Sequence, residues 1–384
     1  MKSVIVVPLC GEGSRMPRDV YFWPKPMIRI DHRSIIEWTM DSVDYEGSEL
    51  VFIVRKEHVD EFSIDSFLKQ KFTGAKIVIA QKPTEGAVAT CMLAKEHINP
   101  EAPLFIHCSD VLFSPKICAR DFTSEQDGII LTFKSNSKNY SYSRIESGLV
   151  KEVAEKTVIG DQASAGLYWF KKGSYFTKAA KRMMSESRKT NNEYFIAPTY
   201  NLLIEEGKKV GVVEVDSISI FGTREEFDFF KKNILKSFPQ NKKVVATCSD
   251  HSGFAAKESF KALAEKRGLH VLDFGTYDIH DVDYSVFVRA ACDSILSGVS
   301  DFGFGFCRSG QGVNIAANKV KGIRSALCYN EWAAEYAVKH SCANFFAISE
   351  KHCGEKEIEL ILNKIMSSSF QGGRHQTRLM ASAE

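Results

Sequence analysis

Apolar residues in this chain fall into short continuous runs. Between the runs lie stretches in which apolar positions recur at helical spacing. That alternation predicts buried parallel strands separated by amphipathic helices. The first run is 3–9 (SVIVVPL), and later runs predict strands over 50–54, 76–80 and 104–107. Helical spacing covers 34–42 and 87–97. A last amphipathic helix is expected over 227–238, followed by a short polar break at 239–243. The pattern then restarts, with strands expected over 243–248, 269–273, 324–328 and 344–348. Helices are expected over 254–267, 286–297, 331–340 and 355–368. The fold class is therefore α/β, with two domains at 1–238 and 242–384. Each is expected to be an open, mainly parallel sheet with helices on both faces.

One stretch departs from simple alternation. Residues 301–319 read DFGFGFCRSGQGVNIAANK. Aromatic residues separated by glycines predict a buried strand beside a close backbone approach. Cys307 ends that strand, Arg308 to Gly312 make a glycine turn, and a helix opens at Val313. Backbone N–H groups at such a turn converge on one point and suit a developing negative charge. A thiol beside them is a candidate general base, although a buried structural cysteine fits the same letters.

Composition narrows the partners. A net charge of +2 over 384 residues implies no polyelectrolyte partner, hence no nucleic acid. The 10 cysteines include no CxxC pair, which argues against structural zinc and a secreted disulfide framework and for a reducing cytoplasm. The opening residues turn polar too soon for a signal peptide, and no run reaches membrane length.

Candidate chemistry gathers at strand ends. Cys10-Gly11-Glu12-Gly13-Ser14-Arg15 follows the first strand, and Cys108-Ser109-Asp110 follows the fourth. Ligands of open α/β sheets bind at such ends. Taken one at a time, Arg15 and Lys25 also read as solvated charges, Asp110 as a helix cap, and Glu155 with Lys156 as an exposed pair.

In order, LCGEGSR, WPKPM, SIIEW, an EG loop, CSD, GLVKEVAEK, AGLY, NNE and FGT resemble the sugar-phosphate nucleotidyltransferases of capsule and surface-polysaccharide pathways over about residues 1–236. The resemblance implies transfer of a nucleotidyl group from an NTP to a sugar phosphate, with release of pyrophosphate. Leu9, Gly11, Gly13, Arg15, Lys25, Gln81 and Gly86 would meet the nucleotide, Arg15 as a planar fork and Lys25 as a point charge. Arg15 and Lys25 would also be catalytic. Glu155, Lys156 and Gly166 would hold the sugar phosphate. Mg²⁺ would sit on Asp110. A second carboxylate is expected shortly before Gly222-Thr223, and Asp216 is the aspartate near that turn.

The second half carries CSDHSGFAAKE, DFGTYD, DVDY, CRSGQG, NIAANKVKGIRSAL and GGRHQTR in that order. These resemble type B ribose-5-phosphate isomerases and galactose-6-phosphate isomerases. The resemblance implies a Rossmann-like sheet, aldose–ketose isomerisation through an enediolate, and a site shared between subunits of a dimer or tetramer. Cys307 would be the base and Ser309 would move a proton between the oxygens. Gly310 and Gly312 would supply amides. Asp250 and Asn330 would bind the sugar, and His251, Arg374 and Arg378 its phosphate. Two residues depart from the family: Tyr329 stands where a ring-opening histidine is usual, and Arg308 replaces a glycine. A phenol with a pKa near ~10 is a poor base at neutral pH.

Overall fold

The computed structural model describes residues 1–11, 23–31, 33–120, 122, 124–233 and 243–381. The chain forms two compact units: 1–59 with 68–236, and 60–67 with 237–384. Most of the expected polar break, 239–242, lies outside the described residues. No helix among the described residues is long and apolar enough to cross a membrane.

The first unit is built on a nine-stranded sheet. Its parallel half holds β1 (Val4–Pro8), β2 (Glu49–Arg55), β3 (Lys76–Ala80) and β4 (Leu104–His107), in the order β4-β1-β2-β3. Three of these strands are runs buried along nearly their whole length, as the sequence pattern requires of a strand covered on both faces. The other half is largely antiparallel, a feature the apolar pattern did not announce. After β5 (Val111–Ser114) and β6 (Gly128–Lys134), the strands β7 (Ser141–Glu146), β8 (Leu149–Glu155) and β9 (Gln162–Phe170) extend the sheet, with β9 antiparallel to β4. β10 (Val210–Glu214) pairs with β6, and β11 (Ser217–Ile220) pairs with β5 in a separate ribbon. The helix expected over 34–42 is a short one, Ile35–Thr39, whose Ser34 and Glu37 form a capping box.

The second unit holds a five-stranded sheet in which every pairing is parallel. Its strands are β12 (Val244–Ser249), β13 (His270–Asp273), β14 (Phe302–Cys307), β15 (Ser325–Leu327) and β16 (Phe345–Ser349), in the order β13-β12-β14-β16-β15. Helices α1 (Phe254–Lys266), α2 (Tyr284–Leu296), α3 (Gln311–Asn318), α4 (Glu331–Ser341), α5 (Glu355–Ser367) and α6 (Arg374–Ala381) complete it. The alternation of β14 explains its glycines. Phe302, Phe304 and Phe306 join a core with Phe260, Ile361 and Leu362. Gly303 and Gly305 point the other way, where an added Cβ would come within 2.9 Å of Ile295 and 2.7 Å of Phe345. The chain passes from β12 to β13 on one side, then returns to β14 on the other. The crevice between the ends of β12 and β14 is therefore the place where such sheets bind ligands. The C-terminal basic stretch leads into the helix α6, and α3 begins at Gln311, two residues earlier than expected.

Candidate functional site

In the first unit, Lys25, Asp110, Glu155 and Gly166 come together although they are far apart in sequence. Lys25 Nζ lies 2.7 Å from Asp110 Oδ2, both side chains partly open to solvent. Gly166 has φ +78 and accepts a hydrogen bond from the Cys108 N–H at 2.8 Å. A Cβ there would lie 3.1 Å from Cys108 and 3.2 Å from Val111, so this glycine lets β9 close over the turn that carries Asp110. The Cys108 thiol reports the gathering. Burial first, then the Asp110 and Glu155 charges, push it up to about 12, against the pull of Lys25. Burial also raises the Glu155 carboxyl, opposed by the Ser141 hydroxyl that donates to it. Lys156, with φ +55, holds its ammonium 5.0 Å from the centre of the Phe195 ring.

The EG loop is placed just as tightly. Gly86 has φ +104, and a Cβ there would lie 2.6 Å from the Tyr194 nitrogen. Tyr194 donates to Glu85 and accepts from Val88, so the loop is clasped by the segment following Asn191-Asn192-Glu193. Gln81 is exposed at the end of β3. Leu9 is buried and its N–H donates to Ile53 at 2.8 Å, while Gly11 is exposed beyond it. Gly13 and Arg15 lie outside the described residues.

Asp216 does not join Asp110. In the β5–β11 ribbon Ser217 faces Ser114 and Ile220 faces Val111. Phe221 N–H donates to the Asp110 carbonyl, and Asp216 N–H donates to Ser114. The two aspartates therefore sit at opposite ends of the ribbon, about 16 Å apart at the usual rise of a strand. One ion cannot bridge them, and the residues between, Ile218, Ser219 and Ile220, bring no carboxylate. No group of three histidine, cysteine or acidic side chains is placed to hold a metal among the described residues. Asp110 alone still suits Mg²⁺, which takes one or two carboxylates and completes its shell with phosphate oxygens and water.

In the second unit, the turn after β12 is locked against the end of β14. Asp250 N–H donates to Phe306, and Asp250 Oδ1 accepts from Ser252 Oγ at 2.7 Å and from Gly253 N–H at 2.8 Å. A Cβ on Gly253 would lie 2.4 Å from the Phe306 oxygen and 2.9 Å from the Cys307 nitrogen. That approach sets the turn that starts at Asp250 against the backbone of Cys307. Measured by urea denaturation, Gly253→Ala is expected to cost about 1–3 kcal/mol, because the obstacle is backbone and cannot rotate away. An unchanged midpoint would show that the turn gives way freely.

His251 Nδ1 stands 3.1 Å from Asp281 Oδ1 and 3.3 Å from the Val282 N–H. Asp283 caps α2 through the Ser285 N–H, which fixes the segment carrying both. Behind the turn, Lys257 and Lys261 contact Asp273 at 2.6 and 2.7 Å. Burial would raise the Asp273 carboxyl, but the two ammonium groups outweigh it and hold it at about 2.

Cys307 is 4% exposed. Gly310 has φ +74, and a Cβ there would lie 2.5 Å from Leu327, so the turn into α3 is made by a residue without a side chain. A Cβ on Gly312 would lie 2.8 Å from the Tyr284 ring. Ser309 Oγ accepts from the Gln311 N–H, and the first N–H groups of α3 have no partner within the helix. The turn thus offers amide donors and one hydroxyl directly after the thiol. Asn330 caps α4, its Oδ1 accepting from Ala333 N–H at 2.8 Å. Its carbonyl oxygen is thus already engaged, a role that the letters alone did not show. Tyr329 is exposed.

Arg374 does not reach Cys307 within one chain. Helix α4 starts at Asn330, at the carboxyl end of the sheet, and runs back towards the start of β16. Its eleven residues cover about 16 Å. The segment leading into α6 docks at the far end: Gln371 N–H donates to Lys339, and the His375 ring stacks on His340 with centroids 4.0 Å apart. Burial, then His340, Arg374 and Arg378, lower the His375 pKa. Arg374 and Arg378, one turn apart on α6, form a basic edge that begins there.

Comparison with known proteins divides along the same line. The first unit resembles the solved nucleoside-diphosphate-sugar pyrophosphorylase of Vibrio cholerae RC9. That match has a TM-score of 0.53 and 25% identity, and covers 59% of this chain and 99% of that one. In the second unit, the family described as Ribose/Galactose Isomerase matches residues 245–381. Ribose-5-phosphate isomerase B of Escherichia coli is 32% identical over 140 residues, which is 36% of this chain and 93% of that protein. Galactose-6-phosphate isomerase subunit LacB of Clostridium acetobutylicum is 33% identical over 128 residues, 33% of this chain and 74% of that protein. Through its second unit, the chain belongs to the ribose/galactose isomerase family.

Proposed function

We propose that the chain is a bifunctional enzyme of activated-sugar synthesis, its second unit isomerising an aldose or ketose phosphate and its first transferring a nucleotidyl group to a sugar phosphate. The observation that carries the isomerase reading is the locked pair of turns after β12 and β14, in which the turn that starts at Asp250 packs on the backbone of Cys307 just ahead of the α3 amides. The Cys307 thiolate removes the proton from the carbon next to the carbonyl. The electron pair moves onto the carbonyl oxygen, and the turn amides stabilise the resulting enediolate. Ser309 moves a proton between the two oxygens, and the proton held on Cys307 returns to the neighbouring carbon.

The nucleotidyltransferase reading rests on the cluster of Lys25, Asp110, Glu155 and Gly166 at the carboxyl end of β4, together with the pyrophosphorylase likeness. A phosphate oxygen of the sugar phosphate attacks the α-phosphorus and pyrophosphate leaves. Catalysis there is positioning and charge neutralisation. Lys25 would bridge the two phosphate groups, while Glu155, Lys156 and Gly166 hold the sugar. Mg²⁺ on Asp110 would neutralise the phosphate oxygens when bound. Incubating the chain with each NTP and a panel of pentose and hexose phosphates, while following pyrophosphate release, tests this half.

The isomerase half should act as at least a dimer. Arg374 and Arg378 begin at the end of α4 away from Asn330, so the phosphate clamp of one site would come from a second copy. Two variants separate this from a surface role. Cys307→Ala lacks the base, and Arg374→Ala/Arg378→Ala lacks the clamp. Mixing the two inactive proteins is expected to restore activity, since the hybrid contains one complete site. No recovery after confirmed subunit exchange would place the arginines elsewhere, as would activity from a sedimenting monomer.

A further inference from the structure

Residues 60–67 lie within the sequence of the first half, yet they pack with the second unit. They also lie outside the family match at 245–381. Ser63 separates helix Lys56–Phe62 from helix Ile64–Lys71, and its φ of +49 is a left-handed conformation that a serine adopts only at a cost. Such a cost persists where surrounding contacts enforce it. Contacts with the loop that leaves β13 do so here. The buried Ser63 hydroxyl meets the buried Thr276 hydroxyl, Oγ to Oγ1, at 3.3 Å. Ser66 Oγ donates to Asp278 Oδ2. The Phe67 ring packs on the Tyr277 ring with centroids 5.1 Å apart.

That loop in turn grips the turn after β12 on both sides of Asp250. Ser249 N–H donates to the Gly275 carbonyl at 2.6 Å, and the Ser249 carbonyl accepts from Thr276 N–H at 2.9 Å. Further along, Val282 N–H donates to His251 Nδ1 at 3.3 Å. Thr276 is one of these anchors, and Tyr277 and Asp278 lie between them. The loop is also tied to itself at this point. The Tyr277 hydroxyl donates to the Asp273 carbonyl at 3.1 Å, and Asp278 Oδ1 accepts from His280 N–H at 3.0 Å. A displacement of 276–278 is therefore passed to the Asp250 turn through backbone hydrogen bonds.

We propose that 63–67 is a brace for the sugar-phosphate subsite of the second unit. Ser63 and Ser66 are its positioning residues, acting through Thr276 and Asp278 on the turn that carries Asp250 and His251. The proposal rests on the isomerase reading above, and it makes a segment from the other half of the sequence part of that site's support. Neither serine is assigned a substrate contact. Their contribution is to hold the sugar-binding turn in one place before the substrate arrives, which lowers the ordering cost of binding. Cys307 is carried by β14 and is not held by the brace.

The double variant Ser63→Ala/Ser66→Ala in the full chain tests this. Solvent deuterium incorporation gives kcat and KM for each pentose or hexose phosphate that wild type turns over. The variant is expected to raise KM about 5- to 30-fold and to keep kcat within about threefold, since two lost hydrogen bonds weaken the ground and transition states alike. Ser66→Thr, which keeps the hydroxyl, should stay near wild type. A merely structural segment would act differently, because partial unfolding removes active molecules, lowering kcat and leaving KM alone. That result, or unchanged kinetics, would overturn the proposal. Amide hydrogen exchange followed by mass spectrometry needs no substrate. Peptides covering 249–253 should exchange at least about tenfold faster in the double variant, and unaltered protection there would also overturn the brace. If wild type incorporates deuterium into no sugar phosphate, the isomerase reading itself fails, while the amide measurement still decides for or against the brace.

Discussion

Cys307→Ala is expected to lose solvent deuterium exchange on any sugar phosphate the chain isomerises, by about 100- to 10,000-fold. No second group within the turn after β14 replaces the thiol. Ser309 Oγ is taken up by the Gln311 N–H and belongs to a far weaker acid. Cys307→Ser, nearly the same size, is expected to fail for that reason. Binding of the phosphate should persist in both variants, because the groups assigned to it lie elsewhere. A structural thiol would behave differently. Cys307 is buried in a well-packed strand, so either substitution would then cost stability while activity per folded molecule survived. Exchange and binding measured on the same samples separate the two outcomes, and undiminished exchange in Cys307→Ala would remove the cysteine from the reaction.

In the first unit the largest loss is expected from Asp110→Ala. The variant should form pyrophosphate about a thousand-fold more slowly, since neutralising phosphate oxygens supplies several kcal/mol to such a displacement. Asp216→Ala should not share this loss, given its place at the far end of the β5–β11 ribbon. Isomerase exchange in the same sample serves as the folding control. Near-normal pyrophosphate release from Asp110→Ala would reject the assignment. Equal losses from both aspartates would mean that the ribbon register does not decide which carboxylate meets the metal.

Much of the site was legible before any coordinates, for a local reason. Turn chemistry is written in a few adjacent letters, and the glycines of AGLY, CSDHSG and CRSGQG mark places where backbone must approach closely. Gly166, Gly253 and Gly310 show such approaches at 3.1, 2.4 and 2.5 Å. The SGQG turn directly after an apolar strand placed Cys307 at a strand end and beside amides without further information. The apolar runs likewise placed the strands, because a strand buried on both faces has to be apolar throughout.

What the letters alone determined, then, is the order of the parallel strands and their helices before residue 108 and after residue 243, and the turns that carry chemistry, all of which follow from neighbours in sequence. Tertiary structure decided whatever depends on register and helix direction, which are set by packing between distant segments. The antiparallel pairing of β5 with β11 put Asp216 a ribbon length from Asp110. The backward run of α4 made Asn330 a cap and drew the start of α6 away from Cys307. The docking of the segment before α2 against the turn after β12 brought Asp281 to His251, a contact that no spacing in the sequence records because the two lie on separate strand-to-helix connections.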